Sequence, residues 1–179
     1  LKDEIEFSQK TIENAKKPFG AIIGGAKVSS KLDVLKNIIS RVDFLIIGGG
    51  MAFTFLKAKG HEIGKSLLEE ELVDSANEIL KKAKEKNVEL LLPVDIIGAE
   101  EFDNDSPSAV YPAEKIPENI IGLDIGPNSV QLFTDRIKTA KTIIWNGPMG
   151  AFEMPNFAGG TNEIARVLAD SECFSIVGG

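Results

Sequence analysis

A short apolar run rich in β-branched residues, closing on glycine and followed by a segment of helical spacing, recurs between residues 19 and 179 and leaves few folds open. The runs are Ala21-Ile22-Ile23-Gly24-Gly25, Phe44-Leu45-Ile46-Ile47-Gly48, Val88-Glu89-Leu90-Leu91-Leu92-Pro93, Thr142-Ile143-Ile144-Trp145-Asn146-Gly147 and Phe174-Ser175-Ile176-Val177-Gly178. Their apolarity is continuous rather than alternating, which implies strands buried on both faces, as in a parallel sheet. Between them Val28, Leu32, Leu35, Ile39 and Val42 fall on one helical face, as do Leu72, Ala76, Ile79 or Leu80, and Ala83. The second of these helices carries acids at residues 69–71 and lysines towards residue 86, the polarity that a helix dipole favours. Residues 129–140 and 161–170 predict two more crossover helices. The fold class that follows is α/β, a doubly wound, Rossmann-like parallel sheet with helices on both faces.

Two stretches depart from the rhythm. Residues 98–119 contain Asp103-Asn104-Asp105-Ser106-Pro107 and three prolines, and predict a hairpin or surface excursion outside the core. Residues 1–17 predict an amphipathic helix with few apolar positions, stopped at Lys17-Pro18 because the residue before proline avoids the α region. Leu1 is not Met, so the chain is expected to begin inside a longer protein.

Charge and composition narrow the function. A formal charge of −7 argues against a nucleic-acid coat or an anionic membrane surface as the main partner. No apolar run approaches the roughly 18 residues of a bilayer span. A single Cys173 and a single His61 leave no internal disulfide and no His/Cys metal cluster, which fits a reducing cytoplasm. Cys173 is expected in the core, and His61, in a charged loop, at the surface.

Glycines 24, 25, 48, 49, 50, 126, 147, 178 and 179 lie at the carboxyl ends of the expected strands. In an open parallel sheet that edge binds ligands, because helix amino ends there present unpaired N–H groups and glycine lets a phosphate or flat ring reach the backbone. Any one of these glycines also suits a tight strand-to-helix turn. In Gly24-Gly25-Ala26-Lys27-Val28-Ser29-Ser30-Lys31, Lys27 and Lys31 stand at i and i+4 of an expected helix start. Cations there oppose the dipole, and a bound polyphosphate compensates them; two solvated lysines are the plainer alternative. Trp145 to Glu153 opens a buried strand into a Gly/Pro turn carrying an amide and a carboxylate, groups suited to phosphate oxygens and sugar hydroxyls.

Familiar fingerprints fail. Gly48-Gly49-Gly50-Met51-Ala52-Phe53 has Phe53 where the dinucleotide motif requires glycine, and residues 60–66 lack the first glycine of a phosphate loop, Lys59 standing in its place.

Lys17-Pro18-Phe19, Gly24-Gly25-Ala26-Lys27-Val28, residues 46–55, Leu92-Pro93-Val94-Asp95, residues 122–127 and residues 145–153 together resemble, in order and spacing, the carboxy-terminal half of the phosphoglycerate kinase family. The similarity runs through residues 1–179 and is weakest over 98–119. It implies an interdomain helix at 1–17, then a nucleotide-binding domain over 18–179. It also implies reversible phosphoryl transfer from 1,3-bisphosphoglycerate to ADP, giving ATP and 3-phosphoglycerate in glycolysis, by a cytoplasmic monomer with Mg²⁺ accompanying the nucleotide. By the same resemblance Lys27 reaches the transferring phosphoryl group and Lys31 the nucleotide phosphates. Gly25, Gly49, Gly50, Leu67, Gly122 and Leu123 line the adenine slot, with Phe102 at its border. Asn146 faces the terminal phosphate, Glu153 holds the ribose, and Gly179 belongs to the nucleotide site. Ala151 replaces the more usual Val, leaving a roomier wall. Family members place a basic substrate domain before the position of Leu1, and a metal-binding aspartate and glycine-rich catalytic loop after Gly179. The polypeptide alone is therefore expected to bind nucleotide weakly and not to catalyse transfer. A non-catalytic nucleotide-binding or folding module is the alternative, and a nicotinamide-dependent dehydrogenase a more distant one.

Overall fold

The computed structural model describes residues 12–178. Five strands form one parallel sheet: β1 (Phe19–Ile23), β2 (Phe44–Ile47), β4 (Glu89–Leu91), β9 (Thr142–Asn146) and β10 (Phe174–Gly178), in the order β10-β9-β1-β2-β4. The register pairs Ile22 with Ile46 on one side and with Trp145 on the other, so β1 is central. Each expected apolar run has become one of these strands.

Side-chain alternation along the strands feeds two cores. Phe19, Ala21, Ile23, Leu45, Ile47 and Ile144 point to a layer that packs against helices α1 (Leu32–Ile38), α2 (Ala52–Ala58) and α3 (Val73–Glu85). Ile22, Phe44, Ile46, Ile143 and Trp145 point the other way, onto α4 (Pro127–Ile137) and α5 (Gly159–Asp170) through Phe133, Ile137, Ile164, Val167 and Leu168. Helices on both faces explain why the strands read as unbroken apolar runs. On α3 the buried positions are Ala76, Ile79 and Ala83, so Ile79 rather than Leu80 turns inward.

The structure corrects the first helix. It begins at Leu32, and residues 27–31 form a turn before it. Val28 is fully buried, the Lys31 N–H closes onto the Val28 carbonyl at 2.9 Å, and the Ser30 hydroxyl donates to the Lys27 carbonyl at 3.0 Å. Val28 thus plugs the core from a turn, and Lys27 and Lys31 do not stack on a helical face.

Residues 95–125 build a second, antiparallel sheet, β6-β5-β8, from β5 (Asp95–Ala99), β6 (Ser108–Pro112) and β8 (Ile121–Ile125). The hairpin expected over 98–119 is present, but it is not outside the core. Ala99 packs with Leu123 and Phe157 in a small cluster, and Ala113 and Ile116 join the larger core. Ile116 belongs to the short strand β7 (Lys115–Ile116), paired with β3 (Glu62–Ile63). Asp95 ties β5 to the amino end of α4. Its carboxylate accepts hydrogen bonds from the Asn128 and Ser129 N–H groups at 3.0 and 2.8 Å, satisfying the first turn of α4, which follows directly on β8.

The helix expected over residues 1–17 lies for the most part outside the described residues. Among them, no helix is long and apolar enough to cross a membrane.

Candidate functional site

The loops leaving β1, β2 and β9 are joined main chain to main chain. The Gly25 N–H donates to the Pro148 carbonyl at 3.0 Å, Gly49 N–H to Met149 at 3.0 Å, and Met51 N–H to Gly25 at 2.9 Å. No side chain fits between them. A Cβ on Gly49, where φ is +74°, would lie 2.6 Å from the Gly25 backbone, and one on Gly147, at φ +95°, would lie 2.1 Å from the Gly24 carbonyl oxygen. Glycine is required here by conformation and by space together.

Above this junction the parallel sheet faces β8, because the Ala151 N–H donates to the Leu123 carbonyl at 2.7 Å and the Ser66 hydroxyl accepts from the Gly122 N–H at 2.9 Å. The space left between is a cleft of about 490 Å³, within the range of small-molecule sites. Gly25, Ala26, Gly49, Gly50 and Lys31 come together on its wall, where a Cβ on Gly25 would stand 3.2 Å from the Lys31 side chain and one on Gly50 2.9 Å from the Leu67 side chain. Phe53, Leu67, Ile96, Phe102, Ile121, Leu123, Met149 and Phe152 also line it, together with the charged Lys65, Asp124 and Glu153. Leu67, Phe102 and Phe152 are 44%, 64% and 52% exposed, so apolar surface is held open at the cleft instead of being packed.

Gly25, Lys31, Gly49, Gly50, Leu67, Phe102, Gly122, Leu123 and Glu153 all line this cleft, as does Ala151. Asn146 is buried at the end of β9, where its side-chain oxygen accepts a hydrogen bond from the Lys31 ammonium. Lys27 is exposed one residue beyond Ala26 and is not part of the lining. Gly179 lies outside the described residues. His61 is half-buried, with Nδ1 shielded and lacking a hydrogen-bond partner, so it is less superficial than expected. Cys173 is half-buried beside the second core, its sulfur 2.9 Å from the Ser171 hydroxyl.

Residue patterns gave no sign of Asp124, Lys65, Phe53 or Phe152 as lining residues. Asp124 is 3% exposed, and its carboxylate accepts hydrogen bonds from the Ile125 and Gly160 N–H groups at 2.8 and 2.9 Å. Burial pushes its pKa up to about 6, against the lowering effect of those two donors. The ordinary carboxyl value is 3.8, so between the two the folded chain holds a proton that the unfolded chain has released. The stability contributed by this proton is complete below about pH 4 and is lost as pH rises through about 6, on the order of 3 kcal/mol. Urea unfolding from pH 4.5 to 7 is expected to show this decline in the parent chain and a flatter profile in Asp124→Asn; identical slopes would exclude the assignment.

Among the described residues no group of three or more His, Cys, Asp or Glu side chains is placed to hold a metal ion.

A family model described as phosphoglycerate kinase matches residues 1–179. Phosphoglycerate kinase of Clostridium botulinum (strain Langeland) is 50% identical over the whole chain, and that of Clostridium tetani 49%, the chain covering 45% of each relative. The chain thus spans less than half the length of these curated relatives. Among solved structures, phosphoglycerate kinase from Coxiella burnetii superposes with a TM-score of 0.91 at 45% identity, and that from Pyrococcus horikoshii with 0.80 at 29%. Each alignment covers 94% of this chain and 43% of the other.

Proposed function

The chain belongs to the phosphoglycerate kinase family, and from that premise we propose that its cleft is the nucleotide half of a phosphoryl-transfer site, taking ADP and ATP. The observation that carries this is the mixed lining of the cleft. Glycine backbone gathered beside the Lys31 side chain shares one cleft with the exposed apolar side chains of Leu67, Phe102 and Phe152. A nucleotide needs both kinds of surface, one for a polyanion and one for a flat, weakly polar ring. The Lys31 ammonium suits the phosphates, which backbone free of side chains lets approach closely, and Leu67, Phe102 and Phe152 suit the base. Glu153 is the residue for the ribose hydroxyls, and Asn146 reaches the terminal phosphate with Lys31.

In this reading the complete enzyme moves a phosphoryl group between 1,3-bisphosphoglycerate and ADP. The acyl-phosphate substrate is held by a domain outside this chain, in a cytoplasmic monomer. Such transfers pass through a loose transition state with charge on the equatorial oxygens, so the protein contributes position and opposing charge. Lys27, exposed on the turn beside the cleft, is the group for that charge. Mg²⁺ would come with the nucleotide as its phosphate complex, neutralising charge on the phosphates.

Calorimetry of the chain with ADP tests the proposal. Saturable binding that weakens at least about tenfold in Lys31→Ala is expected, the loss of one charge-assisted contact. It is expected without ATP formation from 1,3-bisphosphoglycerate by the chain alone. Absence of ADP binding, or preference for NAD, would refute the nucleotide assignment; turnover by the chain alone would refute the division of labour.

A further inference from the structure

The turn that carries Lys27 is held from a distance. Two residues after Lys27, Ser29 presents both its N–H and its hydroxyl to a single carboxylate. The N–H donates to Glu69 Oε1 at 3.2 Å and the hydroxyl to Glu69 Oε2 at 2.6 Å, across a separation of 40 residues. Within the turn the Ser30 hydroxyl donates to the Lys27 carbonyl and the Lys31 N–H to the Val28 carbonyl, and at its far end the Lys31 ammonium reaches the Asn146 side chain. Local bonds fix the shape of a turn but not where it stands relative to the rest of the molecule. Buried Val28 sets its depth, Asn146 holds its Lys31 end, and the two-point bond to the Glu69 carboxylate holds the middle, next to Lys27.

Glu69 is itself well placed to act as a fixed post. Its own N–H donates to the hydroxyl of Thr54, a buried residue of α2, at 3.2 Å. Glu69 also stands two residues after Leu67, which lines the apolar part of the cleft. The backbone anchor at Thr54 does not involve the carboxylate, so shortening the side chain frees the Lys27 turn and leaves the Leu67 wall in place.

We propose that Glu69 is a positioning residue for phosphoryl transfer, its carboxylate gripping Ser29 so that the Lys27 ammonium is preorganised before the nucleotide arrives. The inference rests on the reading of Lys27 given above. Preorganisation of this kind acts on the transition state more than on ground-state binding, so its loss lowers kcat and leaves the nucleotide KM nearly unchanged.

The test compares kcat and nucleotide KM in the complete enzyme for the parent, Lys27→Ala, Glu69→Ala, Glu69→Gln and Ser29→Ala. Glu69→Ala is expected to lower kcat about tenfold, less than the roughly hundredfold loss from displacing a catalytic group by about 1 Å, with the KM for ADP within about twofold. Glu69→Gln keeps one acceptor oxygen for the Ser29 hydroxyl and is expected to fall between parent and alanine variant. Ser29→Ala is expected to reduce kcat in the same direction, and combined with Glu69→Ala to cost no more than Glu69→Ala alone, the mark of a shared contact. If Lys27→Ala abolishes turnover while Glu69→Ala and Ser29→Ala do not alter kcat, the latch is refuted and the Lys27 reading stands. If Lys27→Ala leaves turnover intact, the reading itself fails. A rise in KM equal to the fall in kcat/KM would show that Glu69 merely supports the cleft wall, and would also overturn the proposal.

Discussion

Lys27→Ala in the complete enzyme is expected to lower turnover at least about a hundredfold while leaving the unfolding curve of the protein almost unmoved. The two halves of this expectation have separate origins. Lys27 is exposed on a turn whose position in the fold depends on Val28, so removing its side chain opens no cavity and strands no buried partner. Surface changes of that kind usually shift stability by less than about 0.5 kcal/mol. The catalytic loss follows from the chemistry proposed for the site. A preorganised donor aimed at developing phosphoryl charge is worth about 3 kcal/mol, and each 1.36 kcal/mol is roughly a factor of ten in rate. Steady-state turnover and urea unfolding on the same preparation decide the matter. Near-parental turnover removes Lys27 from the mechanism, and a large loss of stability would turn the kinetic result into a folding effect.

Gly147→Ala is expected to act in the opposite way, destabilising the chain by at least about 3 kcal/mol and abolishing nucleotide binding with it. Backbone at φ +95° is strained for any residue with a Cβ, at a cost of about 1–3 kcal/mol. The added methyl would also stand 2.1 Å from the Gly24 carbonyl oxygen, far inside contact distance, so one of the two loops must move. The Gly147 carbonyl accepts the buried indole N–H of Trp145 at 2.7 Å, and displacing it leaves that donor unsatisfied, which adds about 1–3 kcal/mol. The measurement is the urea midpoint of the parent chain against the variant, with ADP calorimetry on whatever remains folded. A midpoint within experimental error of the parent would show that the three-loop junction is looser than its contacts indicate.

The parallel sheet was legible because burial on both faces forces a residue pattern that few other structures produce. Ile22-Ile23, Ile46-Ile47 and Ile143-Ile144 have no polar member to leave outside, and each pair divides between the two cores. The first helix was misread for the same reason in reverse. Val28 meets the helical spacing of Leu32, Leu35 and Ile39 and is fully buried, yet it reaches the core from a turn, and spacing alone does not separate the two. The antiparallel sheet was read only as a hairpin, since β8 is five residues containing a glycine and an aspartate, and its partner β5 contains another of each. The glycines of the cleft stood out because they recur at the ends of several strands, and Lys31 because it stands directly before a helix. Asp124 did not, for a physical reason: its burial is created by Gly160, 36 positions along the chain, and by Gly150, where a Cβ would come within 2.6 Å of its carboxylate. Nothing adjacent to Asp124 in the chain marks it.

The bare main-chain crossing of the β1, β2 and β9 loops also limits how such a protein is able to diversify. At the crossing the glycines leave no room for a side chain, and Met149 fills the space against Gly24 and Gly48, so natural variation has little to act on without dismantling the scaffold. The exposed Leu67, Phe102 and Phe152, elsewhere on the cleft wall, are more open to exchange. If the cleft takes a nucleotide as proposed, descendants of this sequence are expected to drift in which ring they accept long before they alter how they grip the anionic tail.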